Sequence, residues 1–235
     1  MTPHDQHRAR GVVLATSPAD LPVPRASLQE LLWPPPAAPQ AERRTLEQLL
    51  TLGQWLRRLH RGAAPRGSGS PEVAEMAEVA ARLDQRPSPL RPAHWASLRQ
   101  WSMILADDDH LGHGRLGLDH VYPASSHLVV EATQGLSAVH AAVDVGWITA
   151  DLIELSHRAR ARGTDPDSFA RLLSAFVTGY RGLTDGGRLE DLDVYRAAAL
   201  RMVRRAGAQD DEEDRDLDLR LARHLVEECW RLGLA

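Results

Sequence analysis

The sequence predicts a mostly α protein carrying one small β-hairpin. Apolar residues recur at three- and four-residue spacing in a series of segments along the chain. Near the middle, Leu128–Val130 and Leu136–Asp144 have the short, apolar, partly β-branched character of strands. Clusters of Pro, Gly and Ser separate the periodic segments, as turns and linkers do.

In chain order, residues 1–27 offer a single strand, Gly11–Ala15, followed by Pro18, Pro22 and Pro24. Ala26–Leu32 reads as a short helix or a hinge remnant, ended by the prolines after Trp33, which remove N–H donors and restrict the residue before them. Glu42–Arg61 is an amphipathic helix: Leu46, Leu49, Leu50, Leu52, Leu56 and Leu59 lie near helical spacing. Its arginines gather at the C-terminal end, where the helix dipole favours cations. Pro65–Pro71 reads as a linker, Glu72–Leu83 as a helix, and Pro87–Pro92 as a break. Ala93–Leu105 is a helix carrying Trp95, Leu98 and Trp101. Beyond the hairpin come helices at Leu152–Ala161, Asp167–Arg181, Leu189–Arg205 and Asp216–Leu232, with Asp165-Pro166 as a start signal for the second. This divides the chain into a segment 1–41 and a helical body 42–235.

Composition narrows the function classes. With 43% apolar and 26% charged residues, the chain has the balance of a soluble globular protein. A net charge of −4 gives no concentrated basic surface for nucleic acid. No apolar run reaches the roughly 18 residues of a membrane span, and the polar N-terminus has no signal-peptide core. The single cysteine, Cys229, sits on an apolar helical face and reads as packed rather than reactive. The expected location is cytoplasmic.

The stretch Leu118-Asp119-His120-Val121-Tyr122-Pro123-Ala124-Ser125-Ser126-His127-Leu128-Val129-Val130 has the frame of a catalytic loop without its chemistry. It resembles the aminoglycoside phosphotransferase and choline kinase-like family, whose loop reads roughly His-Gly-Asp-x-x-x-x-Asn before a short apolar strand. His120 falls on the family's His, Tyr122 on its catalytic Asp and His127 on its Asn. Leu52–His60 resembles the family's helix ending in Leu-His, and Ala150-Asp151-Leu152 its closing Asp-Leu-Ala, where the Asp has a structural role beside the loop. The metal-binding Asp of the family falls at His140 or, with a longer hairpin, at Asp144 in Ala142-Val143-Asp144-Val145-Gly146; the spacing to Asp151 favours His140.

The resemblance implies a protein-kinase-like large lobe, with the small lobe truncated or absent because residues 1–41 are too few to build its sheet. It also implies lost catalysis. Phosphoryl transfer rests on a carboxylate that orients the attacking hydroxyl and on oxygens that hold Mg²⁺ against the phosphates. A Tyr phenol, with a pKa of about 10, is a poor proton acceptor at neutral pH, and imidazoles suit softer metals than Mg²⁺. All 28 basic residues are arginine, so the phosphate-pairing lysine of such enzymes is missing. No glycine-rich phosphate loop of either common type appears; Gly112–Gly117 precedes the loop frame rather than opening a helix.

The expectation is a pseudokinase: a binding or scaffolding module, with a protein partner or a second copy, or a small molecule or peptide in the cleft, and no cofactor. Two alternatives stand beside it. One is a divergent ATP- or GTP-dependent phosphotransferase with Mg²⁺, completed by a partner chain and using Asp119 or Asp144. The other is a metal-binding protein drawing on the eleven histidines, with His127, His140 and Asp144 as candidate ligands. Asp210–Asp214 reads as a solvated loop or a helix N-terminus. Trp33 and Trp147 are the tryptophans expected at an interface or pocket wall.

Overall fold

The computed structural model describes residues 11–22, 26–34, 39–63, 88–106, 110–133, 135–182 and 191–233. The elements are β1 (Val12–Ala15), α1 (Leu28–Leu31), α2 (Pro39–His60), α3 (Pro92–Ile104), β2 (His110–Gly112), β3 (Val121–Pro123), β4 (Leu128–Glu131), β5 (Ser137–Val139), α4 (Ala141–Ala161), α5 (Asp167–Arg181), α6 (Asp191–Ala208) and α7 (Glu212–Gly233). Short 3₁₀ turns cover Pro18–Asp20 and Leu118–His120. The helix expected at Glu72–Leu83 lies outside the described residues. No described helix is long and apolar enough to cross a membrane.

The chain forms two compact units. The first draws on Met1–Gly62, Leu116–Leu136 and Asp151–Gly187, the second on Ala63–Arg115, Ser137–Ala150 and Arg188–Ala235. In the first, α2 and α5 pack side by side. Gly53 and Gly179 permit the close approach: a Cβ on Gly53 would stand 2.3 Å from the Phe176 carbonyl, and one on Gly179 2.1 Å from the Leu50 carbonyl. His60 Nδ1 lies 2.9 Å from the Tyr180 hydroxyl, and Arg171 Nε donates to Glu42 at 2.9 Å. Asp165 Oδ1 accepts the Asp167 N–H and opens α5; Gly182 at φ 68° ends it.

In the second unit α6 packs on α7, and Arg205 answers the fully buried Asp218 at 3.6 Å. The acidic run Asp210–Asp214 lies at a helix N-terminus: Asp211 Oδ1 accepts the Asp214 N–H. Trp147 is 1% exposed, with the Arg201 and Arg204 guanidiniums 4.8 and 4.9 Å from its ring centroid, so it is core rather than an interface. Trp33 carries the Arg162 guanidinium over its ring. Cys229 is buried, and burial pushes its thiol up to about 12.

The strands depart from the sequence reading. The expected hairpin between Leu128–Val130 and Leu136–Asp144 does not form. β4 pairs instead with β1, in parallel (Val12↔Leu128 to Ala15↔Glu131), and with β3, antiparallel (Tyr122↔Val129). β5 pairs with β2. The strand expected to run on to Asp144 stops at Val139, and α4 begins at Ala141 rather than Leu152. Residues 141–150 are buried on every side, so this half of the helix lacks the polar face that marks helical periodicity.

Candidate functional site

In the first unit the loop frame begins at the Leu118–His120 turn and ends where β4 starts. Asp151, fully buried on α4, accepts the Leu118 N–H at 2.8 Å and so holds the chain two residues ahead of His120. Leu118 and Val121 are buried on either side of that point and fix the turn by packing.

Alternation along β3 and β4 then sets which side chains meet. Tyr122 faces Val129, and Glu131 lies one step further along the same face of β4. The Tyr122 hydroxyl donates to Glu131 Oε2 at 3.2 Å. Its ring packs against the apolar cluster of Ala15, Leu21 and Val129. His120 Nδ1 is 3.7 Å from the same Glu131 oxygen, and His120 Nε2 is 3.9 Å from Asp119 Oδ2. Burial, reinforced by Glu131, pushes the Tyr122 phenol above the ordinary tyrosine range. At Tyr122, where the sequence resemblance puts the catalytic carboxylate, there is therefore a neutral hydroxyl that donates, not a base that accepts. Asp119, with 45% of its side chain exposed, is the more solvent-facing carboxylate of this group.

His127 closes the loop, half-buried, with its Nδ1 3.4 Å from the Ser126 hydroxyl. It lines an open recess of about 210 Å³ between α2 and residues 124–128. Arg44 reaches across from α2, its Nη2 donating to the carbonyls of Ala124 (3.1 Å) and Ser125 (3.4 Å).

The second unit holds His140 and Asp144. His140 caps α4: its Nδ1 accepts the Ala142 N–H at 3.2 Å, and its carbonyl accepts the Val143 N–H. Asp144, in the first turn and fully buried, accepts two backbone N–H groups, from His113 to Oδ2 at 2.7 Å and from Gly114 to Oδ1 at 2.8 Å. Gly114 adopts φ 78°, the left-handed conformation that aims successive amides at one anion. The glycine-rich segment does cradle an anion, and that anion is the chain's own carboxylate. Among the described residues no three His, Cys, Asp or Glu side chains converge as a metal site requires. Imidazoles at 127 and 140 also do not fit Mg²⁺, which takes oxygen ligands.

Two residues of this geometry escaped the sequence reading. Glu131 was expected in a turn; extending β4 by one residue puts it on Tyr122's face. Arg44 lies on the helix's polar side, with no local signal that it would bridge to a loop eighty residues away.

No protein-family profile matches the chain, and no curated protein is similar to it. Solved structures are. A glucosamine kinase (crystal form A) aligns over 88% of this chain and 59% of its own, with 21% identity and a TM-score of 0.50. The glucosamine kinase in complex with glucosamine, ADP and inorganic phosphate aligns over 87% and 55%, at 18% identity and a TM-score of 0.43. The macrolide 2'-phosphotransferase of Brachybacterium faecium aligns over 76% and 59%, at 19% identity and 0.36. The first is a likeness of fold; the other two fall below that level. The chain spans between half and three-fifths of the length of these structures. Its fold is like that of the glucosamine kinase, mostly helical with few strands.

Proposed function

We propose that this chain is a degenerate phosphotransferase, a pseudokinase that binds or scaffolds without transferring phosphate. The observation behind it is Tyr122: a neutral phenol, already donating to Glu131, stands where the resemblance puts the catalytic carboxylate. Losing a general base costs about 10²–10⁴ in rate by itself. The imidazole at His127, the imidazole at His140 where the resemblance puts the second metal ligand there rather than at Asp144, and the absence of lysine add to that loss.

The test is calorimetric titration of the chain with ATP and with GTP, with and without Mg²⁺ or Mn²⁺, alongside thermal melts and an ADP-release assay using glucosamine as acceptor. The proposal expects no heat, no stabilisation and no turnover. Micromolar, metal-dependent binding with turnover would overturn it in favour of a divergent phosphotransferase. Asp119 would then be the carboxylate to mutate first, since Asp144 is committed to two backbone amides. A binding or scaffolding role also calls for a protein partner or a second copy. A clean monomer by light scattering at tens of micromolar would count against self-association.

A further inference from the structure

We infer that the recess between α2 and the 124–128 loop is a binding site for a small molecule carrying an oxyanion, a phosphate ester or a carboxylate, with hydroxyls beside it. Arg44, Glu47, Gln48 and Thr51 recur at helical spacing on one stripe of α2, and that stripe forms one wall. The loop forms the other, and Gly11 closes the end against Thr51. Arg44 is already oriented, because Nη2 is fixed by the carbonyls of Ala124 and Ser125. That leaves Nε and Nη1 as a charged pair of donors without a partner among the described residues. The Ser125 hydroxyl, the Gln48 amide and His127 Nε2 are likewise without a partner among the described residues.

The wall is thus rich in donors. Its one carboxylate, Glu47, is answered by Arg43 at 3.4 Å on the neighbouring position. A planar guanidinium held in place beside hydroxyl and amide donors matches a carboxylate or phosphate better than it matches a cation or an apolar group. At about 210 Å³ the recess is smaller than a drug-sized site of ~300–1,000 Å³. Its occupant is a small metabolite rather than a nucleotide. This inference does not depend on whether the chain transfers phosphate, so the nucleotide titration above leaves it untouched.

The experiment is a ¹⁵N–¹H NMR titration of the full chain with inorganic phosphate and, separately, with acetate. The inference expects saturable shifts at amides 124–128 and 44–51. Arg44→Gln should weaken binding at least tenfold, and Ser125→Ala, which leaves the arginine bridge in place, several-fold. Saturation by phosphate alone assigns a phosphate ester; saturation by acetate as well assigns a carboxylate. If Arg44→Gln shifts the loop amides without ligand, Ser125→Ala decides the matter. Shifts that never saturate, that saturate elsewhere, or that survive both variants overturn the inference.

Discussion

Asp151 and Tyr122 lie in the same unit at the same loop, one supporting it and the other at the position where the sequence resemblance puts a catalytic carboxylate. Asp151 is fully buried and accepts the Leu118 N–H; Tyr122 is half-buried, with its ring on Ala15, Leu21 and Val129 and its hydroxyl on Glu131. The supporting carboxylate is one on which backbone hydrogen bonding depends, so removing it leaves a buried donor unsatisfied. Tyr122 makes one partly exposed side-chain hydrogen bond, so replacing its hydroxyl leaves no buried backbone donor unsatisfied. Groups that hold a site together are constrained by folding, whereas groups that perform chemistry are constrained only by use.

The sharpest way to break this comparison is to remove the supporting carboxylates. Asp144→Ala orphans two buried N–H groups and should cost about 3–4 kcal/mol, and Asp151→Ala, on its Leu118 bond, about 2 kcal/mol. Since the two residues sit in different compact units, amide hydrogen exchange at His113, Gly114 and Leu118 reads each loss locally, beside urea unfolding of the whole chain. A neutral result for either would mean that these carboxylates do not hold their loops.

Changes at the reaction end should be milder. Tyr122→Phe keeps the ring and loses one partly exposed hydrogen bond, about 0.5–1 kcal/mol. Tyr122→Asp restores the carboxylate of the resemblance; it should fold and still show no ADP release with ATP and Mg²⁺, because His127 and His140 remain imidazoles. Turnover in that variant would reduce the degeneration to a single residue.

The same division explains what the sequence disclosed. The helices α2, α3, α5, α6 and α7 were legible within a few residues, because each has one apolar and one polar face. The strand Leu128–Val130 was legible as β4 from its apolar, partly β-branched residues. The strand partners were not. β1 and β4 pair across more than a hundred residues, and nothing local to Val12–Ala15 specifies Leu128–Glu131 as its neighbour. Nor was the role of Asp144: a carboxylate in an apolar run resembles a strand's metal ligand as closely as it resembles the anchor of a buried helix.

His94 extends the comparison to a support that is not a carboxylate, with the smallest expected effect. Its Nδ1 accepts the Arg91 N–H at 2.8 Å at the start of α3, and its ring stacks on Trp230, 4.9 Å between centroids. This cap works only while Nδ1 is unprotonated. Burial holds the imidazole below the ordinary histidine range; Glu227, 3.6 Å away, pulls the other way, while Arg223 and Arg91 reinforce the depression. An unfolded histidine ionises near pH ~6.5. The stabilisation is therefore present above that pH and lost as pH falls through the lower folded value. His94→Gln supplies an acceptor that does not titrate. Urea midpoints should agree for the two proteins in mildly alkaline buffer and separate on acidification, with wild type the weaker by on the order of 1 kcal/mol, the size of one cap. Parallel pH profiles would mean that the imidazole's proton is decided elsewhere, and that the rule linking buried acceptors to loop support stops at carboxylates.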